Sequence, residues 1–325
     1  PSGYVSRTIR VPRPRQHFKP FLAQTILLGI RQSKDARWLF GKYYDRLKKY
    51  LDYWFWYCDA DRNGLCYWDG SDHSGMDNQA RRLGLIDVME YEGVDLNSYL
   101  VRELDALAEI AKILGLPEEA QQFTRHAVAL RQKINEVFWD EEDGFYYDRS
   151  EKTGQLNRLK SIAGFMPLWC GAASPAQAER LVKEHLINEN EFWTPYPIAT
   201  WSRSEPDYLP GRDNCCNWMG AVWIPTNYMV FHGLIDYGYA PEDAVEYTVA
   251  ACWEFIIPGR GMEIPNIGAL PFANCVDGVI RTELAGCADM AALKAAHDGV
   301  RCCSRCGAFT TAESDPCETC TDETR

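Results

Sequence analysis

A chain of 325 residues with 46% hydrophobic content is long enough to bury a sizeable core, as one large domain or two ordinary ones, and too apolar for a disordered segment. Its formal net charge of -12 argues against a nucleic-acid binder, because phosphate affinity rests on Lys and Arg releasing counterions, and favours a neutral or weakly charged partner. No apolar run approaches the roughly 20 residues of a bilayer-spanning helix, so no membrane association is expected, and the chain opens at Pro1 without a basic-then-apolar leader.

Residues 1–18 are rich in Pro and Arg and irregular, after which FKPFLAQTILLGIRQ predicts a helix with Pro20 near its first turn. DARWLFGKYYDRLKKYLDYWFWYCDADRNG places Leu39, Tyr43, Leu47, Leu51 and Phe55 at close to helical spacing and ends in the turn DADRNG. VDLNSYLVRELDALAEIAKILGL puts Leu96, Leu100, Leu104, Leu107 and Leu114 on a stripe, with Asp95 placed to cap it and Asn97 read as structural beside it. Pro117 restarts a helix on Phe123, Ala127, Leu130, Ile134 and Phe138, making a helical hairpin. WDEEDGFYYD reads as a short β-excursion with Asp-Gly at its turn and a solvated acidic run. LKSIAGFMPLWCG and SPAQAERLVKEHLI form another pair, the second opened by Ser174 and Pro175, and AVWIPTNYMVFHGLIDYG with APEDAVEYTVAACWEFII a further one. Paired helices recurring without a tight period predict an all-α toroid of helical hairpins with functional loops at one end. Aromatic residues reach 13%, and much of the excess falls in Gly-, Pro- and Asp-rich loops, where rings line pockets more usefully than they fill cores.

The 13 cysteines fall into two groups. Cys58, Cys66, Cys170, Cys215, Cys216, Cys252, Cys275 and Cys287 are scattered without a framework, as expected of reduced thiols in a cytoplasmic setting. In CCSRCGAFTTAESDPCETC, Cys303, Cys306, Cys317 and Cys320 form two CxxC pairs at the separation of a zinc ribbon, and a closed four-thiolate site of this kind would be structural. A disulfide-linked or disordered tail, or a non-native end, is the alternative.

Chemistry concentrates in DGSDHSGMDNQARR, residues 70–83. Asp and Asn favour turns and N-caps, so the run alone reads as a capping turn; a Gly-rich turn feeding an aromatic-lined pocket is also where a catalytic carboxylate would sit, and Asp77 is the candidate. Together with FKPFLAQ at 18–24, DLNSYLVRE and NWMGAVWIPTNY, the SGMDNQ stretch resembles glycoside hydrolase family 63 and its relatives, the trehalases included. The four motifs stand in the family's order and span roughly two-thirds of the chain, from 18 to Tyr228.

The resemblance implies an (α/α)6 toroid, incomplete at both ends, over residues 1–285, followed by a Cys-rich tail over 286–325. It implies hydrolysis of an α-linked glucoside or mannoside with inversion, which needs one carboxyl group to protonate the leaving oxygen and a second, roughly 6.5–9.5 Å away, to activate water. Asp77 would be the acid. Glu263, in the loop PGRGMEIPN, would be the base, with Glu254 in CWEFIIP as its rival. Substrate contacts are expected from Lys19, Gln24, Trp68, His73, Asn78, Trp218 and Trp223, although the three Trp could equally be core residues and the polar groups solvated or turn-capping. The reaction needs no catalytic cofactor. The expected partner is an oligosaccharide, disaccharide or glycosylglycerate, with no nucleic acid. The chain departs from the family where Met219 and Ala221 replace Arg and Pro, and where SDH precedes Ser74 in place of a Glu. Those departures and the missing barrel ends support the alternative of a non-catalytic carbohydrate-binding or scaffold relative. A lyase or phosphorylase on the same toroid is a third reading, and the latter would want a cationic phosphate site that the motifs do not supply.

Overall fold

The computed structural model describes residues 3–5, 19–70, 73–79, 88–194, 198–210, 218–239, 301–302 and 309–310. Seven α-helices are the main regular structure of the described chain: α1 (Leu22–Ser33), α2 (Lys42–Tyr57), α3 (Val94–Ile113), α4 (Pro117–Phe138), α5 (Met166–Trp169), α6 (Pro175–Arg180) and α7 (Ile224–Asp236). Strands are short. β1 (Tyr91–Glu92), β4 (Asp148–Ser150) and β5 (Leu156–Asn157) form one antiparallel sheet with β4 in the middle, β2 (Trp139–Asp140) pairs β3 (Phe145–Tyr146), and β6 (Arg301–Cys302) pairs β7 (Phe309–Thr310).

The core is organised around α3, which packs against α4, α1, α5 and α2. Its leucine stripe is buried as the spacing predicts, but so is nearly every other residue of its first turns, including Asp95, Asn97, Ser98 and Glu103. A helix buried all round must satisfy its polar side chains inside the protein, and each here fastens a neighbour. Glu103 accepts from Ala23 N at 2.8 Å and Gln24 N at 3.0 Å, so a carboxylate from α3 closes the exposed N–H groups and positive dipole end of α1. Burial pushes its carboxyl up, and the bonds from Ala23 and Gln24 pull it back only in part. Asn97 accepts from Cys66 N at 2.9 Å and donates to Cys66 O at 2.9 Å, pinning the segment after α2 in both directions. Asp148 on β4 accepts from Val94 N at 2.9 Å, tying the sheet to the start of α3.

Several expectations are corrected. Gly93, not Asp95, is the N-cap of α3; Asp95 lies in the first turn and accepts from the Trp68 indole N–H at 2.9 Å. The run from Leu39 to Phe55 is not one helix: a 3₁₀ turn at Arg37–Leu39 gives way at Gly41 (φ +74°), so Tyr43 turns outward at 53% exposure while Tyr44, Leu47, Leu51 and Trp54 face the core. The acidic run is only half solvated. Asp140 is buried, accepts from Glu142 N and Asp143 N at 3.0 and 3.1 Å, and lies 2.6 Å from Arg158, because a four-residue hairpin loop turns these N–H groups back onto it. Ser174 does open α6 with a complete capping box, reciprocated by Gln177, but that helix passes at Leu181 into a π-helical turn through Leu186.

Candidate active site

The site is built from segments without regular structure, residues 73–79 on one side and 198–210 with 218–223 on the other, held together by side-chain to main-chain bonds. Asn78 Oδ1 accepts from Trp218 N at 2.9 Å. The next residue, Gln79, is fully buried and donates through Nε2 to Thr200 O at 3.0 Å. Thr200 is in turn bound to the far stretch, since its N and Oγ1 both donate to Ala221 O, at 3.1 and 2.7 Å. Asn227 on α7 completes the frame, accepting from Ile198 N at 2.9 Å and donating back to Ile198 O at 3.1 Å. Two consecutive amides therefore fix the register of Asp77, whose Oδ1 is shielded from solvent.

Beside this loop the Trp218 and Trp223 rings stack with centroids 4.0 Å apart and planes 7° from parallel. Trp218 is 6% exposed and Trp223 half-buried, so the pair offers an edge and part of one face. Lys19 reaches the loop from the start of α1. Gly75 has φ +76°, and a Cβ there would collide with the Lys19 ammonium, so only glycine admits both the turn and the cation. Lys19 is positioned from behind by Tyr50, whose hydroxyl donates to Lys19 O at 3.0 Å. His73 is buried, with its ring packed on Gly70 and Nδ1 joined to Asp69 Oδ1.

The sequence-derived residues thus separate. Lys19, His73, Asp77, Asn78, Trp218 and Trp223 belong to one neighbourhood. Gln24 is committed to the α1–α3 junction, where its Nε2 donates to Glu103 Oε1 at 3.1 Å. Trp68 is fully buried, edge-on to Trp54 and bonded to Asp95, which makes it a core residue. Glu263, Glu254, Cys303, Cys306, Cys317 and Cys320 lie outside the described residues, as does the boundary at 285.

The sequence reading missed a buried charge cluster behind β2 and β3. Lys160 Nζ lies 2.7 Å from Glu191 Oε1 and 3.2 Å from Asp143 Oδ1. His185 Nδ1 lies 2.7 Å from Glu191 Oε2, and its Nε2 lies 2.8 Å from Asp143 O. A carboxylate thus faces one ring nitrogen of His185 and a carbonyl the other, while Lys160 bridges the two anions Glu191 and Asp143. Burial opposes the charge on Glu191 and Asp143, but for Glu191 the bonds from His185 and Lys160, and for Asp143 those from Tyr147 and Lys160, outweigh it and hold both carboxyls below their ordinary range. A cluster balanced this way is a structural clamp. Its members are spread over residues 143–191 and carry no helical or strand periodicity that would reveal it.

A mostly helical frame that presents a carboxylate on an amide-latched loop beside stacked tryptophans is the arrangement of a helical glycoside hydrolase. The chain belongs to the family described as mannosylglycerate hydrolase MGH1-like glycoside hydrolase domain, whose model matches residues 2–253. Its fold is similar to that of the family 63 mannosylglycerate hydrolase from Thermus thermophilus in complex with glucose, at TM-score 0.64 and 22% identity over 79% of this chain and 76% of that one. The same enzyme in complex with Tris and D-glycerate gives TM-score 0.65 and 21% identity over 85% and 83%. In sequence, a cytosolic neutral trehalase of Kluyveromyces lactis is 34% identical over 155 residues, 45% of this chain and 20% of the trehalase. An uncharacterised protein of Borreliella burgdorferi is 31% identical over 159 residues, 49% of this chain and 32% of the relative. The matched part therefore spans a third or less of these two relatives' length. Among the described residues no helix is long and apolar enough to cross a membrane.

Proposed function

We propose that the chain is the catalytic part of an inverting α-glycosidase on an (α/α)6 frame. Asp77 protonates the glycosidic oxygen, and Glu263 deprotonates the attacking water, with Glu254 as the alternative base. The observation that supports this reading is the double latch: Asn78 and Gln79 commit their amides to holding the loop against Trp218 and Thr200, which sets a carboxylate beside an aromatic surface. Preorganised positioning of that kind is what a general acid needs. A pyranose ring packs on the Trp218–Trp223 pair.

Among α-glucosides and α-mannosides, the proposed substrate is a glycosylglycerate. Lys19 brings a cation against Gly75, two residues before Asp77 in the chain, suited to a carboxylate on the leaving group, and the similar Thermus enzyme is a mannosylglycerate hydrolase whose structure holds D-glycerate. Neutral trehalose would not use that charge. The four C-terminal cysteines are proposed as a separate structural zinc site, and the buried free thiols of Cys58, Cys66 and Cys170 favour a reducing, cytoplasmic setting.

The test is hydrolysis of mannosyl- and glucosylglycerate and trehalose by the chain and its variants. Asp77→Asn should lower kcat roughly 10²- to 10⁴-fold, with β-sugar as the first NMR-visible product from the parent. Lys19→Met should raise KM for the glycerate conjugates and leave trehalose unchanged. A folded parent that turns over none of the three would sink the reading in favour of a non-catalytic sugar binder.

A further inference from the structure

Residues 199–202 run through the middle of the site's frame and are fully buried. An antiparallel bridge joins Ser161 to Trp201 on one side of this strip, and another joins Ala199 to Val222 on the other. Thr200 stands at its centre with every polar group engaged. Its O accepts from Ile162 N at 3.0 Å and from Gln79 Nε2 at 3.0 Å, using both lone pairs. Its N and Oγ1 both donate to Ala221 O, at 3.1 and 2.7 Å, and Oγ1 accepts in turn from Gly220 N at 3.3 Å. One residue thus ties together the loop of Asp77, the 3₁₀ turn at Ile162–Phe165 that leads into α5, and the segment between Trp218 and Trp223.

A buried threonine can bond this fully and do no more than fasten the fold. Gly220 argues for more. Its φ is +132°, which glycine alone adopts readily, and a Cβ there would lie 2.5 Å from Tyr208 Cε2. Glycine has the widest choice of backbone angles, so the orientation of this peptide has to be held from outside. The Thr200 hydroxyl holds its N–H, and the Tyr208 ring lies against its open face. The two tryptophans whose rings stack 4.0 Å apart flank that same glycine in the chain.

We propose that Thr200 is a positioning residue that sets the Trp218–Trp223 platform at its working distance from Asp77. The proposal rests on the reading of Asp77 as the acid and of the tryptophan pair as the sugar surface. The main-chain O of Thr200 holds the acid's side of the frame, the hydroxyl holds the sugar's side, and Ile162 roots both in the scaffold. Misplacement by about 1 Å can cost on the order of 10²-fold in rate. A hydroxyl that fixes the platform therefore controls turnover without touching substrate.

Thr200→Val keeps the side-chain shape and the main-chain bonds, loses Oγ1 and leaves Gly220 N–H without its acceptor. Thr200→Ser returns the hydroxyl. Ser202→Ala is the control, since it removes another fully buried hydroxyl of the same strip, one bonded to Ser204 at 2.8 Å. Each variant of the full chain should be compared with the parent in Tm, in kcat and KM for mannosylglycerate, and in near-UV circular dichroism, where Trp223→Phe identifies the signal of the stacked pair. Thr200→Val should lower kcat roughly 10- to 100-fold, more than its Tm accounts for, and diminish the pair signal. Thr200→Ser should recover most of both, and Ser202→Ala should change neither. An unmoved pair signal in Thr200→Val would overturn the proposal whatever the rate did, and so would a parental rate beside a moved signal, or equal losses in Ser202→Ala. A folded parent without turnover would sink the hydrolase reading by itself. The pair signal, lost in Thr200→Val and regained in Thr200→Ser, would still support the placement of the tryptophans by this hydroxyl.

Discussion

The Lys160–His185–Glu191–Asp143 cluster and the loop at 73–79 are both polar and both largely buried, yet they are built on opposite plans. In the first, charges answer one another, with the Lys160 ammonium between Glu191 and Asp143 and His185 bonded to Glu191. In the second, uncharged amides bear the structural load, Asn78 on Trp218 and Gln79 on Thr200, and the carboxylate between the loop's glycine and those amides is carried along. Buried polar residues sort accordingly: ion pairs fasten the fold, whereas the neutral amide clamps beside Asp77 fix the loop that carries it.

The largest effect is expected at Lys160. Lys160→Met leaves Glu191 and Asp143 short of a cation in a site where the Lys and Glu side chains are 14% and 11% exposed, and removal of one partner from such a pair costs about 3–5 kcal/mol. Thermal or urea denaturation should show that loss. Its pH dependence is equally definite. Glu191 and Asp143 titrate below their ordinary values of 4.5 and 3.8, so their contribution is complete above those values and fades as pH falls through the lower folded ones. The variant should have a shallower acid limb than the parent. An unchanged limb would mean that the cluster is not coupled as drawn.

Asn78→Ala tests the opposite plan. It removes the acceptor of the Trp218 N–H, an unsatisfied group worth about 1–3 kcal/mol, while Asp77 keeps its carboxyl group. If the amide holds the acid in register, kcat for a glycosylglycerate should fall by more than the stability loss explains, with KM changed less. Asn78→Asp retains an acceptor and should restore part of the rate. A rate that tracks stability alone would make Asn78 one more piece of packing.

Legibility in the sequence follows the same division. Helices α3 and α4 were readable because leucine and alanine at helical spacing report a buried face directly, and Pro117 and Ser174 mark the starts of α4 and α6 chemically. That Asp77, Asn78, Trp218 and Trp223 share one neighbourhood was readable from motif order, but not which of the tryptophans would be core: Trp68 is committed by Trp54 edge-on to its ring and by Asp95 opposite its indole N–H, a partner 27 residues away. Gln24 looked like a sugar contact because nothing local discloses Glu103, 79 residues on. The turn DADRNG reads as a turn, and nothing local discloses that Asp59 is buried or that Asn63 bonds to Glu92. Tertiary partners, not propensities, decide the fate of polar side chains.

The smallest effect separates stability from chemistry. Ser174 accepts from Gln177 N at 3.3 Å and Gln177 returns the bond to Ser174 N at 2.8 Å, at the start of α6 and in contact with neither polar cluster. Ser174→Ala should cost about 1 kcal/mol, as loss of a cap does, which is at the lower end of the range for Asn78→Ala. The helix is exposed at that end, so the loop at 73–79 should not feel the change. Equal destabilisation with full activity in Ser174→Ala and reduced kcat in Asn78→Ala would show that the amide latch acts on the position of Asp77. If both variants lost rate in proportion to stability, the distinction between the two kinds of buried polar residue would fail at its most sensitive point.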